Sequence, residues 1–258
     1  MIFLLGLLAD VSQDAAVGVE DLAIDEVRSM GGQEDAGAHH VLRVAPAACG
    51  GLGADERVER VAAAIGLDLA QGSSLGGRNT ELLVSEAISV IADRYSACVV
   101  LDLCTGSGCI AKALAVNTSA TVVASDISDD ALKVADENLE GTSVTLIKSD
   151  LFDAFNPNSF DVIVSNPPYI RSGDINSLSA EVKHEPRIAL DGGESGLDFY
   201  KRIVCSAPIY LKKGGCLLLE IGYDQAEPIT RLMETFGFSG VKTLKDYDGN
   251  DRIVIGKV

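Results

Sequence analysis

Cys98-Val99-Val100-Leu101-Asp102-Leu103-Cys104-Thr105-Gly106-Ser107-Gly108-Cys109-Ile110 begins as an apolar run, passes through an acid and turns on two glycines. A continuous apolar run closed by an acid predicts a central parallel strand, buried on both faces. The glycines let the backbone turn tightly and come close to a ligand. In an open α/β sheet, ligands sit beyond the carboxyl ends of the strands. The turn does not fit the dinucleotide fingerprint, because Ile110-Ala111 stands where a further glycine is needed. No Gly-Lys-Ser/Thr follows, which excludes a Walker loop.

Downstream of this segment, apolar runs alternate with amphipathic ones. Helix is expected over 110–116, 129–139, 197–207 and 225–236. Strands are expected at 121–125, 144–147, 160–165 and 215–221. The segments 240–244 and 252–257, joined by the turn 246–250, read as a closing antiparallel pair. The alternation predicts an α/β fold: a doubly wound, mostly parallel, seven-stranded sheet. Upstream, Thr80 is a plausible N-cap for a helix whose stripe is Leu82, Leu83, Ala87, Ile88 and Ile91. Gly72 to Gly77 reads as a linker. Before it, 19–27 and 54–69 show weak helical spacing.

The acid Asp126 closes the second strand and can accept hydrogen bonds from both hydroxyls of a ribose. It could equally cap the helix that follows, although Ser128 can fill that role. Asp150 follows the third strand, where it or a neighbouring amide could read an adenine amino group, or serve as a solvated turn acid.

The most informative stretch is Ser165-Asn166-Pro167-Pro168-Tyr169-Ile170, after the fourth strand. Two prolines stiffen the backbone and remove two N–H donors. Their carbonyls and the Asn166 side chain form a rigid set of acceptors for a planar NH2 group, and Tyr169 adds an aromatic face. An amide or exocyclic amine is a poor nucleophile because its lone pair is delocalised. Fixed acceptors on its N–H groups shift density to nitrogen and aim the lone pair at a methyl donor.

These motifs resemble the protein-glutamine N5-methyltransferases of the HemK/PrmC type, which modify peptide chain release factors. The resemblance runs from about residue 78 to the end. It includes Thr80-Glu81-Leu82-Leu83-Val84, the loop 102–110, Asp126 and Phe160 to Ile170. It continues with Glu185-Pro186-Arg187-Ile188-Ala189-Leu190, Gly192 to Leu197, Leu219-Glu220-Ile221-Gly222 with Gln225, and Asp248 with Arg252. It implies a class I S-adenosylmethionine-dependent methyltransferase over 76–258, with the GGQ glutamine of a release factor as substrate. It implies a helical, substrate-docking N-terminal region over 1–75. The family's proline before Thr-Glu is absent, since this chain reads Gly77-Arg78-Asn79-Thr80.

Residues and resemblance together assign cofactor contacts to Asp102, Thr105, Gly106, Gly108, Asp126, Asp150 and Asn166. They assign the substrate to Asn166, Pro167, Pro168, Tyr169 and Glu185, with Asn166, Pro167 and Tyr169 as the catalytic set. The tripeptide Gly31-Gly32-Gln33 matches the substrate sequence and is read as coincidence.

Composition limits the alternatives. The formal net charge is −17 over 258 residues, and no run of lysine or arginine exceeds Lys212-Lys213. An adenine-N6 methyltransferase would use the same acceptor loop but needs a basic groove and a flipped base. Stable nucleic-acid binding is therefore not expected. A ribosomal-protein glutamine methyltransferase would share every motif. The six cysteines form no CxxC pair and there are three histidines, so no metal site is expected. Unpaired thiols fit a reducing cytoplasm. The apolar start, residues 1–8, is too short to span a membrane.

Overall fold

The computed structural model describes residues 75–94, 97–178 and 185–258. The expected helices at 19–27 and 54–69, the apolar start, Cys49 and Gly31-Gly32-Gln33 lie outside the described residues. The elements in chain order are α1 (Leu75–Ala92), β1 (Val99–Leu103), α2 (Cys109–Asn117), β2 (Thr121–Asp126), α3 (Asp129–Leu139), β3 (Thr145–Lys148) and β4 (Phe160–Ser165). A 3₁₀ turn (Ile175–Ser177) follows, then α4 (Arg187–Leu190), α5 (Asp198–Tyr210), β5 (Leu211–Glu220), α6 (Ala226–Thr235), β6 (Ser239–Lys245) and β7 (Asp251–Lys257).

The seven strands form one sheet in the order β3-β2-β1-β4-β5-β7-β6. Strands β1 to β5 are parallel, and β7 runs antiparallel between β5 and β6. From β1 the chain winds outward through β2 and β3, then returns to place β4 on the other flank of β1. That reversal is the switch point at which such sheets open a crevice. Leu103 and Ser165, the last residues of β1 and β4, are register partners, so the two loops leave the sheet side by side.

Alternation along each strand divides the core into two layers. Val100, Val122, Ala124, Val162, Val164, Leu218, Ile253 and Ile255 pack against α1, α2 and α3. Leu101, Leu103, Val123, Ile163, Leu217, Leu219 and Val254 pack against α5 and α6. Asp102 shares the parity of Val100, which directs its carboxylate toward α2. At the opposite end of the strands, Asp161 ties three of them together. It accepts from the Val99 amide at 2.9 Å and pairs with Lys212 at 3.3 Å and Arg94 at 3.6 Å. Phe155 meets the buried Phe160 edge-on at 5.3 Å, and Phe152 stacks on Tyr210 at 4.5 Å. Such pairs add about 0.5–1.5 kcal/mol each beyond the area they bury.

Three local expectations need correction. The helix α1 begins at Leu75, so Gly76 and Gly77 are helical and not linker. Glycine weakens a helix by about 1 kcal/mol relative to alanine but does not end it. Thr80 therefore lies inside the helix and is not an N-cap. Its hydroxyl instead donates to the Glu220 carboxylate at 3.3 Å. The strand expected from 215 begins at Leu211, and α5 reaches Tyr210 with Pro208 in its last turn. Phe160 pairs with Leu211 while Val162 pairs with Cys216, so Lys212 to Gly215 bulge from the ladder. The bulge hid the strand's beginning. The short α4 was not anticipated. Ser128 does cap α3, accepting from the Ala131 amide at 3.3 Å, which leaves Asp126 outside that role.

Candidate active site

Two loops meet at the switch point. The first, 104–108, follows β1. Cys104, Gly106 and Gly108 all have positive φ, at 61°, 57° and 79°. A Cβ on Gly106 would meet nothing within 4 Å, so the turn faces open space there. A Cβ on Gly108 would crowd Leu139 and Ala135 at 3.2–3.3 Å, so this glycine lets α3 pack close.

The loop is held by the acids at the strand ends. Asp102 is fully buried, and one of its oxygens accepts from the Thr105 hydroxyl and, at 3.0 Å, from the Ala111 amide. Its other oxygen is buried with no hydrogen-bond partner. Burial pushes this carboxyl up to about 7, against the pull of those two hydrogen bonds. Asp126 accepts from the Gly106 amide and the Ser128 amide, both at 2.9 Å. One bond reaches each oxygen, and a carboxylate has about four acceptor sites, so each oxygen retains capacity for a ligand. Asp150 pairs with Arg202 of α5 at 2.8 Å, with both side chains about half exposed.

The second loop, 166–170, follows β4. The Ser165 hydroxyl donates to the Leu103 carbonyl at 2.6 Å and fastens the two loop origins together. Asn166, Pro168 and Tyr169 are half-buried and Pro167 is buried. Ser165 and Leu219 are register partners, so Asn166 and Glu220 leave the sheet at neighbouring strand ends. Tyr169 is pushed up to about 12, chiefly by burial and then by the charges of Glu220 and, more weakly, Glu185. Glu185 itself is exposed.

The backbone of this loop is clamped from two sides. The Ile170 amide donates to the Leu190 carbonyl at 3.0 Å, and the Gly192 amide returns a bond to the Ile170 carbonyl at 2.8 Å. A Cβ on Gly192 would lie 2.8 Å from the Pro168 carbonyl oxygen and from Tyr169 Cα, so only glycine allows this approach. Gln225 is buried and fully engaged. Its amide nitrogen donates to the Tyr169 carbonyl at 3.0 Å and the Gly196 carbonyl at 3.2 Å, and its oxygen accepts from the Gly222 amide at 2.9 Å.

The fold thus brings Asp102, Thr105, Gly106, Gly108 and Asp126 together around one loop and sets the Asn166–Tyr169 segment beside it. Asp150 stands apart in its pair with Arg202. Sequence alone assigns no site role to Glu220 or Gln225 and reads Thr80 only as a helix cap. The available signal was Glu220, an acid closing the apolar run Leu217-Leu218-Leu219 just as Asp102 and Asp126 close theirs.

The methyltransferase small domain family matches residues 78–187. The chain is 45% identical over 184 residues to the release factor glutamine methyltransferase of Geobacter sulfurreducens, a match covering 70% of this chain and 64% of that protein. It is 39% identical over 202 residues to the release factor glutamine methyltransferase of Clostridium acetobutylicum, covering 74% and 70%. It is 41% identical over 180 residues to the ribosomal protein uL3 glutamine methyltransferase of Francisella tularensis, covering 68% and 56%. The chain therefore spans less than two thirds of the Geobacter and Francisella proteins. Among the described residues, no helix is long and apolar enough to cross a membrane.

Proposed function

Since the chain belongs to the release factor glutamine methyltransferase family, we propose that it methylates the side-chain amide nitrogen of a protein glutamine, the GGQ glutamine of a peptide chain release factor. The observation that carries this reading is the pairing of Leu103 with Ser165, which seats the glycine turn beside the Asn-Pro-Pro-Tyr loop. A methyl donor held by one loop and an NH2 group held by the other would then be neighbours.

The residues of the first loop fit S-adenosylmethionine. Gly106 leaves room for backbone approach, Asp126 has acceptor capacity for ribose hydroxyls, and Asp102 carries an unpartnered buried oxygen. The cofactor supplies an electrophilic methyl on a sulfonium. The chain's own residues supply position. Asn166 offers its side-chain oxygen and Pro167 its carbonyl to the two amide hydrogens, while Tyr169 covers the flat face. The amide nitrogen gains the methyl and loses one hydrogen as a proton, which leaves to solvent. Gln225 and Gly192 hold the loop still, so the acceptors need no rearrangement during the reaction.

The same arrangement suits a glutamine of a ribosomal protein, a reading favoured by the Francisella relative. The net charge of −17 speaks against duplex DNA. The test supplies methyl-labelled S-adenosylmethionine with a release factor, protein uL3 and duplex DNA in separate reactions. Label is expected on the GGQ glutamine. Label on uL3 alone would move the substrate, and label on adenine would overturn the protein reading.

Asp126→Ala should weaken cofactor binding roughly 10- to 100-fold, because hydrogen bonds to a charged group are worth about 1.5–3 kcal/mol. Titration calorimetry with S-adenosylmethionine reads this directly, and circular dichroism verifies the fold. An unchanged affinity would remove Asp126 from the cofactor site.

A further inference from the structure

Two turns beside the acceptor loop are built alike. Gly222-Tyr223-Asp224-Gln225 leaves β5, and the Gln225 amide donates to the Gly222 carbonyl at 3.0 Å. Asp246-Tyr247-Asp248-Gly249 joins β6 to β7, and the Gly249 amide donates to the Asp246 carbonyl at 3.0 Å. Each is a four-residue turn with tyrosine second and aspartate third. Tyr223 is 66% exposed and Tyr247 59%.

Both turns are locked by a side chain. The Gln225 side chain closes the first by accepting from the Gly222 amide at 2.9 Å, and its NH2 group ties the turn to the Tyr169 carbonyl at 3.0 Å. Asp224 adds a second tie, taking the Arg171 guanidinium at 2.6 Å. In the other turn the Asp246 carboxylate accepts from the amides of Asp248 and Asn250 at 3.0 and 2.8 Å and from Arg252 at 2.8 Å. A single exposed aromatic is ordinary on a protein surface. Two of them on fixed turns at neighbouring strand ends form a prepared surface.

Their place in the sheet says what they face. Ser165 pairs with Leu219 and Glu220 with Ile253, so the loop after β4, the turn after β5 and the turn before β7 leave the same end of the sheet, side by side. The glycine turn and Asp126, fitted to the cofactor, lie on the other flank of the acceptor loop, over β1 and β2. A glutamine seated in the acceptor loop belongs to a polypeptide, and its flanking residues need a support that the cofactor does not occupy. The half of the rim over β5 and β7 is that support.

We infer that Tyr223 and Tyr247 are the docking anchors for the polypeptide that carries the target glutamine. The inference rests on the glutamine-methylation reading above. Tyrosine suits the task because it offers a large contact area with only two side-chain torsions to freeze, and here the backbone is already fixed. The net charge of −17 makes the matching segment a non-acidic one.

The experiment measures kcat and KM of the full chain for Tyr223→Ala, Tyr247→Ala and the double variant. The substrate is a release factor, or uL3 if that is the protein wild type labels. Cofactor affinity is read by calorimetry and self-association by gel filtration. We expect KM to rise about 5- to 30-fold for each single change, as when an interface anchor is truncated. Both kcat and cofactor affinity should hold, since a contact made equally in ground and transition states moves KM alone. Tyr223→Phe and Tyr247→Phe, which keep the ring, should stay near wild type. A wild-type KM in the double variant would overturn the inference. So would a fall in kcat with KM unchanged, or a change in oligomeric state with KM unchanged, which would make this face a contact between copies of the chain. If wild type labels no glutamine at all, the underlying function falls and the docking role with it. If wild type is active and the double variant keeps its KM, only the docking role falls.

Discussion

Asn166→Ala should lower kcat for glutamine methylation by about 10²–10³, the loss seen when one preorganised hydrogen-bond partner is removed from a reacting group. Cofactor affinity should stay close to that of wild type, because the loop after β1 is built from other residues. Asp102, Thr105, Ala111, Gly106 and Asp126 form its hydrogen bonds. The side chain of Asn166 is the only part of the acceptor set that alanine deletes. The Pro167 carbonyl remains, held by a backbone that Gln225 and Gly192 clamp. The variant should therefore fold normally and bind the methyl donor, yet leave one substrate N–H without a partner. Single-turnover kinetics beside calorimetry separates the two effects. Turnover within a few-fold of wild type would exclude Asn166 from the mechanism.

The second large effect lies in the substrate. Changing the GGQ glutamine to asparagine should abolish labelling. Asparagine is one methylene shorter, so its nitrogen stops about one carbon–carbon bond short of the methyl donor. A misplacement near 1 Å can cost on the order of 10²-fold. The acceptors cannot follow the shorter side chain, because the prolines and the Gly192 contact fix the loop. Replacing the glycine before the glutamine with valine should also reduce labelling strongly, since glycine lets a chain enter a narrow slot without a Cβ clash. Equal labelling of glutamine and asparagine versions would show that the site does not measure side-chain length.

Much of the frame is legible in the chain. The strands at 99–103, 121–126 and 160–165 announce themselves by continuous apolar runs ending in Asp102, Asp126 and Ser165. A buried parallel strand must be apolar on both faces, and polar residues can appear only where it emerges. The same rule places the functional residues, because the emerging ends are where the ligand sits. Where the ladder is irregular, the rule fails. The beginning of β5 is interrupted by Lys212 to Gly215, and the pattern there looks like a loop. Thr80 has the composition of a helix cap and the position of an interior residue. Its role depends on Glu220, 140 residues away.

The sequence by itself determined the type of sheet, the glycine turn and the rigid acceptor loop, because backbone freedom at glycine and its loss at proline are properties of single residues. The tertiary structure alone decided which oxygens remain available. Asp126 divides its carboxylate between two loop amides, Asp150 turns to Arg202, and Gln225 gives its NH2 group to the carbonyls of Tyr169 and Gly196. A side chain's donors and acceptors are set by its chemistry. The direction in which they point is set by partners that only the folded chain brings within reach.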